Sequence, residues 1–203
     1  MRQYAEMYRS ALPEAFCWSR FGTEAGEPVD RILARKEDER RALGGKFFWG
    51  IGSSVAPGIR MLLGRPGHPE VIFSPIRSRP RPVDVSPPGV VRWRACLDLD
   101  GNYTALPDDA VVTSRARLGA PRSHYALVCH SEAALELGEL GSISFGSLRN
   151  LGTGSPLGPS QVTSVVKTLA HSMGVGRAYP ISLRARLVAP YFVRLQEPKT
   201  STR

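Results

Sequence analysis

Residues 90–102, VVRWRACLDLDGN, alternate with period two: Val91, Trp93, Ala95, Leu97 and Leu99 fall on one side, Arg92, Arg94, Cys96 and Asp98 on the other. That is the pattern of a half-buried β-strand, and Asp100-Gly101 turns it into a hairpin with the following NYTALP. Upstream, KFFWGIGSS (46–54) reads as a strand, APGIRMLLG (56–64) as a short helix and PEVIFSPI (69–76) as a strand. Downstream, VVTSRARL and HYALVC are further strands, and the second runs into Ser131-Glu132-Ala133-Ala134, the start of a short helix. Helical spacing recurs at Tyr4, Met7, Tyr8, Ala11 and Leu12, and again from Val29 to Leu43 before Gly44-Gly45. Residues 1–45 are therefore expected to form a helical N-terminal segment and 46–203 a basic α+β unit folding as one domain.

The segment 138–160 is rich in glycine and serine and reads as a long loop. Val162, Val165, Val166, Leu169 and Met173 then suggest a helix, capped by Ser160 and ended by Gly174. ISLRARLV and YFVRL close the chain as strands broken at Pro190. Helices first, many short strands later and no βαβ rhythm predict an α+β fold with a curved mixed or antiparallel sheet, a small barrel being its closed form.

The charge balance, 27 basic against 18 acidic residues, gives +9 and favours a polyanionic partner. The excess is uneven. Residues 51–94 carry seven arginines against Glu70 and Asp84, and 151–203 carry seven basic residues against Glu197, whereas 95–150 carry four basic against seven acidic. Only four of the 27 are lysine, so a GC-rich genome offers a second explanation for the arginine content. No apolar run approaches the roughly 20 residues of a membrane helix, and the charged N-terminus does not read as a signal peptide, so a cytoplasmic location off the membrane is expected. Cys17, Cys96 and Cys129 form no CxxC pair and are expected to be reduced, packed thiols.

Arg77, Arg79 and Arg81 alternate along a proline-stiffened arm and suit phosphate contact. Arg92, Trp93 and Arg94 extend the charge into a strand, where Trp93 stacks a base if it faces a cavity and otherwise serves the core. Ser160 and Gln161 open the expected helix after Gly158-Pro159, where free N–H groups favour an anion, and Arg149 and Asn150 in the same loop add donors. His124 and His130 stand far apart on one side of their strand with Cys129 on the other, so no metal site is read there. Asp98, Asp100 and Asn102 echo a calcium loop, but Tyr103 stands where that loop needs glycine. No cofactor motif and no catalytic signature is present.

Lys46-Phe47-Phe48-Trp49-Gly50-Ile51-Gly52-Ser53-Ser54 followed by a short helix resembles the opening of the PUA-like superfamily, notably its EVE and YTH branches. The resemblance implies a compact barrel that reads RNA or a modified base, with Phe48, Trp49, Ser53 and Ser54 at the pocket. The leading expectation is a protein that binds DNA or RNA, holding the backbone with arginine and a flipped or modified base with aromatics. Two other classes remain: an enzyme on a phosphorylated small molecule, using the 158–161 turn, and a protein-interaction subunit of a larger complex with an acidic partner.

Overall fold

The computed structural model describes residues 11–23, 27–76, 90–93, 95–98, 102–105, 112–115, 123–169 and 176–196. They form an α+β fold of two helices, α1 (Val29–Ala42) and α2 (Ala56–Leu63), on a mixed, mostly antiparallel sheet. The strands are β1 (Ala15–Phe21), β2 (Lys46–Ile51), β3 (Glu70–Pro75), β4 (Val90–Trp93), β5 (Ala95–Leu97), β6 (Tyr103–Ala105) and β7 (Val112–Arg115). They continue as β8 (Ser123–His130), β9 (Ser142–Ser144), β10 (Leu148–Asn150), β11 (Thr163–Thr168), β12 (Ala178–Pro180) and β13 (Leu183–Gln196). Nine strands join in the order β10-β11-β1-β3-β13-β5-β6, with β8 pairing β13 and β2 pairing β8; β4/β7 and β9/β12 form separate ribbons. Only β1 and β3 run parallel among these pairs. Among the described residues the sheet does not close into a barrel.

β13 is the hub. Its first half lies between β3 and β8 and its second half between β8 and β5, the change falling at a bulge between Leu187 and Phe192 where Tyr191 takes φ 64°. One face of the sheet carries Cys17, Val71, Ala185, Leu187, Cys129, Phe47 and Trp49, and it packs against Ile32 and Leu33 of α1 and Ile59 and Leu62 of α2. Gly58 permits the close approach of α2, because a Cβ there would lie 2.9 Å from Cβ of Val165 on β11. The opposite face carries two apolar clusters. Phe16, Trp18, Ile72 and Val166 are covered by Ile143 and Tyr179 of the β9/β12 ribbon, and Phe48, Ala126, Val128, Val193 and Leu195 lie further along.

α1 also protects the free edge of β2. The Glu39 carboxylate accepts the Phe48 N–H and takes the Lys36 ammonium at 2.7 Å, both side chains being buried. Burial pulls the Lys36 ammonium below its ordinary value, with Glu39 opposing the shift. Glu37, on another side of the helix, bonds Arg40, Arg41 and the Leu135 N–H, tying the loop after β8 to α1.

Three expectations are corrected. Residues 1–45 are not wholly helical: Ala15–Phe21 is a central strand, whose apolar residues on both faces hide the alternation. Residues 1–10 lie outside the described set. The helix expected from Ser160 is instead strand β11, with Val165 facing one core and Val166 the other, and with Val162 and Leu169 exposed. Residues 131–134 form no helix, and the Ser131 hydroxyl donates to the Ala133 carbonyl instead. The hairpin after Asp98 holds: β5 pairs β6, and the Asp98 N–H donates to the Asn102 carbonyl at 3.1 Å. Cys17 and Cys129 are free, buried thiols; burial pushes Cys17 up to about 12. No helix among the described residues is long and apolar enough to cross a membrane.

Candidate functional site

Between the two apolar clusters of the second face lies a polar cleft of about 210 Å³. Its floor is a row across three strands, in which Glu70 of β3 pairs with Arg186 of β13 and Arg186 with His130 of β8. Arg184 stands one side-chain step along β13. It is 8% exposed and donates through Nε and a terminal nitrogen to Glu70 at 3.0 and 2.7 Å. His68, Ser131, Glu132 and Ala185 complete the lining.

The backbone at the end of α1 positions the cleft's histidine. Gly45 sits at φ 93°, and a Cβ there would come within 2.6 Å of His130 Nε2, so glycine lets the imidazole lie against the chain. The Gly45 carbonyl accepts the Ser131 N–H at 3.0 Å, fixing the residue after His130. The lining offers cationic and neutral donors beside two carboxylates. Among the described residues no three His, Cys, Asp or Glu side chains are grouped to hold a metal ion.

On the helix-covered face the sheet ends differently. Trp49, Leu127 and Phe192 share a buried row, and the next row holds Ile51, Tyr125 and Arg194 in register. Ile51 and Tyr125 are half-buried, and Arg194 is exposed. The Tyr125 ring stacks on Phe192 with centroids 5.6 Å apart at 25°. β5 joins this corner through the pairing of Leu97 with Arg194.

The residues nominated from sequence are dispersed. Phe48 and Trp49 are 5% and 7% exposed, so neither walls a cavity: Phe48 packs on Ala126 and Val128, while Trp49 meets Phe21 and Phe73 edge-on and donates its Nε1–H to Ser19 Oγ at 3.1 Å. Ser53 and Ser54 are exposed on the single 3₁₀ turn that follows β2. Arg92 and Trp93 lie on β4, paired with Thr113 and Val112 of β7. Arg77, Arg79, Arg81 and Arg94 fall outside the described residues.

The nominated loop donors and acceptors are largely spent locally. Arg149 donates to the carbonyls of Gly146 and Leu148, both at 2.8 Å, and Asn150 Oδ1 accepts the N–H groups of Gly152 and Thr153. Ser160 and Gln161 occupy a turn leading to a strand, so the helix-dipole argument for an anion there does not apply. Gln161 Oε1 accepts the Gly158 N–H at 3.1 Å.

That turn is held by a residue the sequence reading passed over. Arg20 is 6% exposed and lies 5.4 Å from the Trp18 and Tyr179 ring centres and 5.9 Å from that of Phe145. It donates to Tyr179 Oη at 3.2 Å, to the Pro159 carbonyl at 2.9 Å and to the Gln161 carbonyl. Its charge is met by ring faces and carbonyl dipoles, an arrangement suited to fixing the turn. Arg184, Arg186 and Arg194 were likewise passed over, although arginine at alternate positions of ISLRARLV signals one strand face. Comparison with protein-family models, with curated proteins and with solved structures gives no match in any of the three.

Proposed function

We propose that this protein binds nucleic acid, DNA or RNA, through its arginine-rich segments, the chain between β3 and β5 and the exposed arginines of β13. One observation carries the reading. β3 leaves the sheet beside the start of β13, where the Ser182 N–H donates to the Phe73 carbonyl, and β5 returns against its end, where Leu97 pairs with Arg194. The chain between those two strands, whose sequence includes Arg77, Arg79, Arg81, Arg92 and Arg94, thus leaves and rejoins the sheet beside β13, which itself carries the exposed Arg186 and Arg194, while Arg184 is taken by Glu70. Both ends of the chain between β3 and β5 are anchored beside β13, which supports a reading in which its arginines, with the exposed Arg186 and Arg194, neutralise phosphates.

The aromatic pocket implied by the likeness to PUA-like proteins is not part of this proposal, since Phe48 and Trp49 are core residues. The enzyme alternative loses its phosphate-binding helix start, because residues after Ser160 form a strand.

Fluorescence-anisotropy titrations with single-stranded DNA, single-stranded RNA and duplex DNA at several salt concentrations test the proposal. Log affinity should fall linearly with log salt, with a slope of about −0.7 per phosphate contact on a single strand. An affinity indifferent to salt, or no binding to any of the three at low salt, would end it.

A further inference from the structure

We infer that the corner where Ile51, Tyr125 and Arg194 share one row of the sheet is a stacking platform for an unpaired base of a single-stranded nucleic acid. The inference rests on the proposed nucleic-acid binding and adds which strand form is preferred and which residues prefer it. Along the helix-covered face the rows of side chains pass from core to solvent in a single step. The row of Trp49, Leu127 and Phe192 is buried, and its neighbour holds a half-buried tyrosine beside an exposed arginine, with Leu97 of β5 next in register.

The tyrosine is held for the task. Stacking on the buried Phe192 ring fixes the orientation of Tyr125, so little ordering is left to lose when a ligand lands on it. Arg194 stands directly opposite on the adjacent strand, where cross-strand Cβ atoms lie about 5 Å apart, so its guanidinium reaches the phosphate of a nucleotide whose base rests on Tyr125. Arg194 forms no ion pair among the described residues.

On one side of the corner β2 runs out of Ile51 towards the exposed Ser53 and Ser54. The occupant is a polyanion by the net charge of +9. It is single-stranded because a ring can stack only on a base whose face is not already covered within a duplex.

The test compares a labelled single-stranded oligonucleotide with the same chain carrying abasic sites at its centre. The wild-type protein should prefer the complete chain by about tenfold or more, the size expected of one base on an aromatic platform. Tyr125→Leu, which retains apolar contact with Phe192, should lose that preference while binding the abasic chain as the wild type does; Tyr125→Phe should keep it. Arg194→Gln should weaken both chains equally. A wild-type protein that binds both chains alike, or a Tyr125→Leu variant that still discriminates, overturns the platform and leaves nucleic-acid binding standing. Failure of the wild type to bind either chain removes both.

Discussion

Replacing Trp49 by alanine separates a core tryptophan from a ligand-stacking one. The indole is 7% exposed, meets Phe73 edge-on at 4.8 Å and Phe21 at 5.5 Å, and donates to Ser19 Oγ. Truncation removes the transfer energy of the ring and leaves a cavity, together about 3 to 5 kcal/mol. The edge-to-face contacts and the Nε1 hydrogen bond place the expected cost in the upper half of that range. No polar group is orphaned, because Ser19 Oγ keeps Thr163 Oγ1 at 3.1 Å. A loss near 4 kcal/mol consumes much of an ordinary domain's ~5 to 15 kcal/mol of stability. Urea unfolding followed by circular dichroism should therefore show a lower midpoint with an unchanged slope. Measured well below the melting temperature, the variant should bind nucleic acid as the wild type does. A variant that loses under ~1 kcal/mol of stability but no longer binds would refute the placement of Trp49 in the core.

Three further outcomes test the surrounding structure. Hydrogen bonds, that of Arg40 first, hold the Glu37 carboxyl at about 2. Its folded value lies below the unfolded one of ~4.3, so its contribution is present above that pH and is lost as pH falls towards about 2; Glu37→Gln should flatten this part of the stability profile, and parallel profiles would contradict the assignment. Gly45→Ala should cost about 1 to 2 kcal/mol from the left-handed backbone alone, with a further loss from the displaced imidazole. Adding His130→Ala should recover only the steric part, whereas full recovery in a melting curve would show that φ at residue 45 carries no strain. Arg20→Leu should speed amide exchange in 158–162, because the carbonyls of Pro159 and Gln161 lose their donor; unchanged exchange there would mean the turn is held by other contacts.

The elements legible from sequence are those whose surroundings differ between faces or whose ends carry strong signals. KFFWGI, APGIRMLL and EVIFSP appear where expected, as does the hairpin at Asp98, because turn chemistry and short-range patterning specify them. β1 and β11 were hidden by being buried on both faces. In AFCWSRF, Phe16, Cys17 and Trp18 are consecutive and all buried, and no period of two survives. Around β11, apolar residues at 162, 165, 166 and 169 satisfy helical spacing equally well, and the signal that should have weighed more is β-branching at Thr163, Val165, Val166 and Thr168.

The candidate interface was legible as composition but not as geometry. Arginine counts identified both basic stretches, yet that the chain between β3 and β5 begins and ends beside β13 depends on contacts between segments far apart in the chain. The same gap explains the choice of aromatic. Trp49 and Ile51 share a face of β2, and local sequence ranks the tryptophan as the better stacking residue. Burial is decided instead by what the neighbouring strands supply in each row: Leu127 and Phe192 enclose Trp49, whereas Tyr125 and Arg194 accompany Ile51 at the boundary with solvent. A large aromatic deep in a row of apolar partners belongs to the core. Tyr125 lies instead in the row it shares with Ile51 and the exposed Arg194, and that row is fixed only once β2, β8 and β13 are in register.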